Sequence, residues 1–201
     1  MPDLGLYNQK YALRRVLDRL PWIERLEPNA VSAASLVPSA IAAAALAAGW
    51  WPLVILGIVG RMVLTTLDGL IAEGHGKKTR AGAYINRVPA ELGDAMLYLA
   101  LFARADAFWV ALVLAGAWLV NVLGVLGLVA GGSTQSVGPA GQTDRLAVMI
   151  VASAIAIVVP LDWTVVCALL VALMVPTILL RMRRTLRELG GPSPAPPPAA
   201  A

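Results

Sequence analysis

Apolar residues gather into six long stretches separated by short polar ones. The first runs from about Asn29 to Ala48 and the second from Trp51 to about Ala72, with Gly49-Trp50-Trp51-Pro52 as the turn between them. Four more follow at roughly Gly82 to Ala103, Phe108 to Ala130, Leu146 to Val159 and Val165 to Leu180. A bilayer's hydrocarbon core takes about 20 residues of helix to cross, so each stretch is predicted as a transmembrane helix, the fifth being short for one. Ahead of them, Tyr7 to Trp22 sets Lys10, Arg14, Arg15 and Arg19 beside Leu13, Val16, Leu17 and Leu20. That spacing gives one charged and one apolar helix face, which suits a helix lying in the headgroup layer. The expected fold is all-α, a polytopic membrane protein with six transmembrane helices and an N-terminal amphipathic interfacial helix. Its parts are a juxtamembrane segment over 1–28, a six-helix domain over 29–185 and a Pro/Ala-rich tail over 186–201 with nothing to bury.

Composition supports the membrane reading. Of 201 residues 59% are hydrophobic and only 14% charged, and the mean hydropathy is +0.75. The net charge of +4 does not spread over one polar face, as nucleic-acid binding would require. It clusters between apolar stretches: the N-terminal segment, Lys77-Lys78-Arg80, Arg145 and Arg181-Arg183-Arg184-Arg187 all fall on one side if there are six crossings, and the opposite loops hold only Arg104. Positive residues favour the cytoplasm, so a multi-pass protein of the cell inner membrane with both termini cytoplasmic is expected. Single residues of Cys167 and His75 exclude a disulfide framework and a Cys/His metal cluster.

Charges inside the spans carry the candidate chemistry, because an ionised group at mid-bilayer costs about 2.5–3.5 kcal/mol on insertion scales. The second span holds Arg61 and Asp68, and the third Arg87, Glu91 and Asp94. Arg61, Thr65, Asp68 and Ala72 follow helical steps of four, three and four, and Gly82, Asn86, Ala90 and Asp94 form a second stripe. Carboxylates and an amide without His or Cys are oxygen ligands, suited to Mg²⁺, Mn²⁺ or Ca²⁺. The plain structural alternative is that these groups pair with Arg61 and Arg87 to hold helices together. Asp144 is expected to cap the fifth helix, Arg145 to meet a lipid headgroup, Asn121 to bond a neighbouring helix, and Pro89 to free the carbonyl of Ile85 and bend the third helix.

Spaced as Thr65-x2-Asp68-Gly69-x2-Ala72-Glu73-x8-Gly82-x3-Asn86-x3-Ala90, these residues resemble the signature of the CDP-alcohol phosphotransferases, D-x2-D-G-x2-A-R-x8-G-x3-D-x3-D. Pro28-Asn29-Ala30-Val31-Ser32 is similar to the stretch that opens that family's first span, and Gly138-Pro139-Ala140-Gly141-Gln142-Thr143-Asp144-Arg145 to a loop before its fifth. The resemblance covers about residues 10 to 185. It implies transfer of a phosphatidyl (phosphoalcohol) group from a CDP-alcohol such as CDP-diacylglycerol to an acceptor hydroxyl, with release of CMP, in phospholipid biosynthesis. It also implies a Mg²⁺ or Mn²⁺ site, a CDP-linked lipid, an acceptor alcohol and membrane lipids as partners, and a homodimer. Carried onto this chain, the expected metal ligands are Asp68, Asn86 and Asp94, and Asp94 and Glu91 are the candidates for the base. Thr65, Asp68, Gly69, Ala72, Gly82 and Arg145 are expected to line the substrate and cofactor cradle. Three of the family's four aspartates are replaced, by Thr65, Asn86 and Ala90. A catalytically degenerate member that binds lipid or a partner is therefore a second reading, and a small transporter a third.

Overall fold

The computed structural model describes residues 27–74 and 80–190, and among these every regular element is helical. The helices are α1 (Pro28–Ala34), α2 (Leu36–Ala48), α3 (Trp51–Gly74), α4 (Arg80–Ala100), α5 (Ala107–Val129), α6 (Gln142–Val158) and α7 (Trp163–Leu189), with a 3-10 turn at Leu101–Ala103. The expected amphipathic segment, His75, Lys77, Lys78 and the Pro/Ala-rich tail from Pro192 lie outside the described residues.

Each boundary has a local cause. Pro38 brings no N–H to the carbonyl of Ala34, so the first apolar rod breaks at Ser35 into α1 and α2. Serine hydroxyls turn back onto the freed turn: Ser35 Oγ donates to Ser32 O at 2.6 Å and Ser39 Oγ to Ser35 O at 2.7 Å. Gly49, at φ +80°, ends α2 in the left-handed conformation, and Arg104 caps the carbonyls of Leu46 and Ala47 at 3.2 and 2.8 Å. Asp106 starts α5 by accepting from the Phe108 N–H at 3.0 Å, and Asp162 starts α7 by accepting from that of Thr164 at 2.8 Å. The helix expected from Leu146 begins four residues earlier, at Gln142, with Gly141 as its cap. Asp144 therefore sits at the third helical position, not at the cap, and reaches back to accept from Gly141 N at 3.0 Å. The last helix runs nine residues past its expected C-terminal end at Leu180, because its basic end continues the helical turn to Leu189.

Among the described residues, four rods are long and apolar enough to cross a membrane: Pro28–Ala48, Trp51–Gly69, Ala107–Val129 and Trp163–Leu189. The other two expected spans differ in kind. Helix α4 interrupts its apolar face with Arg87, Glu91 and Asp94, and α6 has only 17 residues, about 25 Å of helix. Helix α2 packs on α3 and α4, α3 on α6, and α5 on α7. The tightest approach falls where a Cβ on Gly57 would meet Pro38 O at 2.7 Å and Ala42 Cβ at 2.8 Å, so Ala42 and Ala45 serve packing within this chain.

The outer surface is apolar. Leu56, Phe108 and Trp118 are about two-thirds exposed, and Val129 and Val158 more so. A water-soluble protein of this size does not present so much aliphatic surface; around a bundle of apolar rods it is the lipid-facing side. The protein is membrane-embedded.

Candidate functional site

Of the charged groups that the sequence places inside the bundle, Arg61 and Asp94 converge with Arg145 where α3, α4 and α6 meet. Asp94 of α4 is buried between two guanidinium groups. Arg61 Nη2 of α3 lies 2.6 Å from its Oδ1, and Arg145 Nη2 of α6 lies 3.0 Å from its Oδ2. Arg61 also donates to the backbone carbonyl of Ala90, which accepts from Gln142 Nε2 at 3.2 Å as well. Arg145 spends its remaining donors inside the protein, on Tyr98 Oη at 3.1 Å, Ala140 O at 2.9 Å and Asn121 Oδ1 at 3.3 Å. Its side chain is 0% exposed, so the residue expected at a lipid headgroup is enclosed instead. The physical reason is Asp94, whose charge draws the guanidinium into the bundle.

Glu91, one turn before Asp94, forms a more open arm of the same network. Its Oε1 accepts from Arg87 Nε at 3.1 Å and its Oε2 from Asn121 Nδ2 at 2.7 Å. The Arg87 and Glu91 side chains are 50% and 36% exposed. Asn121 thus bridges α4 and α6, as its isolation in an apolar span suggests. Close packing leaves Arg61 its place: a Cβ on Gly93 would meet Ser39 Oγ at 2.7 Å and Arg61 Nε at 2.9 Å.

Asp68 has other surroundings. It lies seven residues beyond Arg61 on α3, about 10 Å along the axis, and is buried with its Oδ2 accepting from Ser32 Oγ of α1. Thr65, one turn earlier, turns its hydroxyl onto the carbonyls of Arg61 and Met62 at 3.0 and 3.2 Å. A Cβ on Gly69 would meet nothing within 4 Å, so this glycine borders open space. Gly82 is half-buried near the start of α4; the side chains of Ala72 and Asn86 lie outside the described residues.

The described members of the expected donor set do not gather into a divalent-metal site, and the side chain of Asn86 lies outside the described residues. Among the described residues no three Asp, Glu, His or Cys side chains come together. Asp94 is engaged by two guanidiniums, Ala90 offers no side-chain oxygen, and Glu91 is tied to Arg87 and Asn121. Asp68 accepts from the Ser32 hydroxyl, and the Thr65 hydroxyl one turn earlier is turned onto its own helix backbone.

Three residues of the polar interior escape the spacing argument. Ser32 does so because its partner is 36 residues away, and Tyr98 because a tyrosine one turn beyond Asp94 carries no charge to flag it. Arg181 reads as a topology determinant, yet it is buried, donating to Val120 O and, at 3.0 Å, to Val137 O. Its signal is the stripe Leu170, Met174, Thr177, Arg181 at steps of four, three and four.

No family model matches the chain. Inner membrane protein YnbA of Escherichia coli (strain K12) is 33% identical over 87 residues, which make up 42% of this chain and 43% of that protein. The match thus spans less than half the length of that relative. Among solved structures, the Mycobacterium tuberculosis phosphatidylinositol phosphate synthase PgsA1 with CDP-DAG bound superposes with a TM-score of 0.72 at 17% identity. The superposition covers 94% of this chain and 100% of the other, and it shows a common fold.

Proposed function

We propose that this chain is a membrane phosphotransferase of the CDP-alcohol type, acting on a CDP-linked lipid such as CDP-diacylglycerol at the cytoplasmic face. The observation that carries the reading is the buried Asp68 on Ser32, set in a Thr65-x2-Asp68-Gly69-x2-Ala72 stripe bordered by open space at Gly69. It stands in a fold shared over nearly the whole chain with a protein crystallised with CDP-DAG. In the proposed reaction the acceptor hydroxyl oxygen bonds to the phosphorus of the phosphatidyl group, the diphosphate P–O bond breaks, and CMP leaves with the electron pair. Glu91 is the residue this reading assigns to take the hydroxyl proton: it is partly exposed and would give up its bond to Arg87 or Asn121 to do so, whereas Asp94 is buried under two guanidiniums. The positive residues gathered on one side support a reading in which both termini are cytoplasmic and the protein sits in the inner membrane.

A second reading has a specific observation behind it. Ala90 stands at the position of the family's last aspartate, and the nearest replacement on its stripe, Asp94, is internally paired. The same fold would then bind the nucleotide lipid without transferring it. Incubation of the purified protein with CDP-diacylglycerol and a panel of polyols, with Mg²⁺, with Mn²⁺ and with a chelator, separates the two. CMP release that falls about 100-fold or more in Asp68→Asn supports transfer. Binding without CMP release favours the second reading, and neither binding nor release refutes both.

A further inference from the structure

The basic end of α7 outruns the hydrocarbon core. A core takes about 20 residues of helix to cross, whereas α7 has 27, Trp163–Leu189. About seven residues, about 10 Å of helix, therefore continue into the headgroup layer. These last turns carry three different faces. Thr185 and Glu188, three residues apart, turn inward: a Cβ on Gly127 would meet Thr185 Cγ2 at 3.2 Å, and Glu188 Oε2 accepts from Ser133 Oγ at 3.0 Å and from Gln135 Nε2 at 2.9 Å. Met182, Leu186 and Leu189 form an apolar stripe at steps of four and three, and it is exposed, Leu186 by 66%. Arg183, Arg184 and Arg187 make up the remaining face and are exposed as well.

Exposed leucines beside exposed arginines on one helix end match an interface where acyl chains and charged headgroups lie within reach of each other. Arginine stems follow apolar surface while the guanidinium reaches the headgroups, and its planar fork suits phosphate oxygens. Nothing has to enter the bundle to meet these groups. Basic residues that only set orientation act by charge during insertion and need no fixed seat, yet here Ser133 and Gln135 hold the turn that carries Arg187. We infer that the C-terminal turns of α7 bind the headgroups of anionic phospholipids, with Arg183, Arg184 and Arg187 on the phosphates and Met182, Leu186 and Leu189 against the acyl chains. The site is independent of the transferase reading, and either can fail without the other.

The test uses the full-length protein in phosphatidylcholine nanodiscs with a trace of photoreactive phosphatidylglycerol or, in parallel, photoreactive phosphatidylcholine, and maps the cross-links by mass spectrometry. On residues 182–189 the anionic probe is expected to label at least about threefold more than the zwitterionic one, as the attraction of juxtamembrane arginines for anionic lipid requires. Arg183→Gln/Arg184→Gln/Arg187→Gln is expected to bring that ratio to about one, and Arg183→Lys/Arg184→Lys/Arg187→Lys to keep most of it. Ser133→Ala/Gln135→Ala keeps every charge but frees the last turn, and is expected to lower the ratio about twofold; an unchanged ratio there assigns the preference to charge alone and overturns the seated site. Equal labelling by both probes on the unaltered chain, or cross-links confined to other segments, overturns the inference without any variant having to fold. Loss of the preference in excess inorganic phosphate at constant ionic strength makes a soluble anion the occupant and overturns it too.

Discussion

Two seams hold this bundle together by different physics. Where α5 meets α7, Val110, Val113, Ala117 and Val120 bury against Val166, Leu170 and Met174, and Gly116 lets Met174 lie close to the α5 backbone. Where α3, α4 and α6 meet, one carboxylate joins two guanidiniums, backed by Tyr98, Asn121 and backbone carbonyls. The apolar seam sums many weak contacts, so a small change of shape is absorbed. The polar seam is a single electrostatic unit, in which losing one member strands the others in an apolar medium. A membrane protein keeps such a unit where it needs charge of fixed sign and position.

The sharpest way to break this contrast is Asp94→Asn. It leaves two buried guanidiniums without a counter-charge and is expected to destabilise by about 3–5 kcal/mol, seen as a large drop in the unfolding midpoint in detergent. On the apolar seam the volume-conserving Met174→Leu should cost under about 1.5 kcal/mol by the same measurement. At the opposite end, Asp106→Ala removes the acceptor for Phe108 N and should cost about 1 kcal/mol. Smallest of all, Arg87→Ala breaks the exposed pair with Glu91 and should shift stability by no more than about 0.5 kcal/mol. An Arg87 effect as large as that of Asp94 would show that the two arms of the network are not energetically distinct.

Much of the fold was legible because helices this apolar announce themselves by length alone. The apolar runs fall on helices, and among the described residues four rods are long and apolar enough to cross a membrane, with ends set by Gly49, Asp106 and Asp162. The extension of α7 past Leu180 was not legible from hydropathy, since Arg181, Arg183, Arg184 and Arg187 end the apolar run without ending the helix. In the site, the positions of Arg61, Asp68, Glu91 and Asp94 could be read because charge in an apolar helix stands out. Their partners could not. Asp94 pairs with Arg145 across 51 residues and Asp68 with Ser32 across 36, and which helix faces which is a property of the packed bundle, not of spacing along one helix. That is why an acidic pocket was expected where arginines turn out to hold the carboxylate, and why the structural alternative of helix-joining pairs describes Asp94 well.

The account turns on Asp94 being the common counter-charge of Arg61 and Arg145. A double-mutant cycle with Asp94→Asn and Arg145→Gln, read from unfolding free energies in one detergent, measures that coupling directly. The structure predicts an interaction energy of about 1 kcal/mol or more, with the double variant less destabilised than the sum of the single ones. Additivity within about 0.5 kcal/mol would contradict it and return Asp94 to the free carboxylates available for a metal ion or a proton.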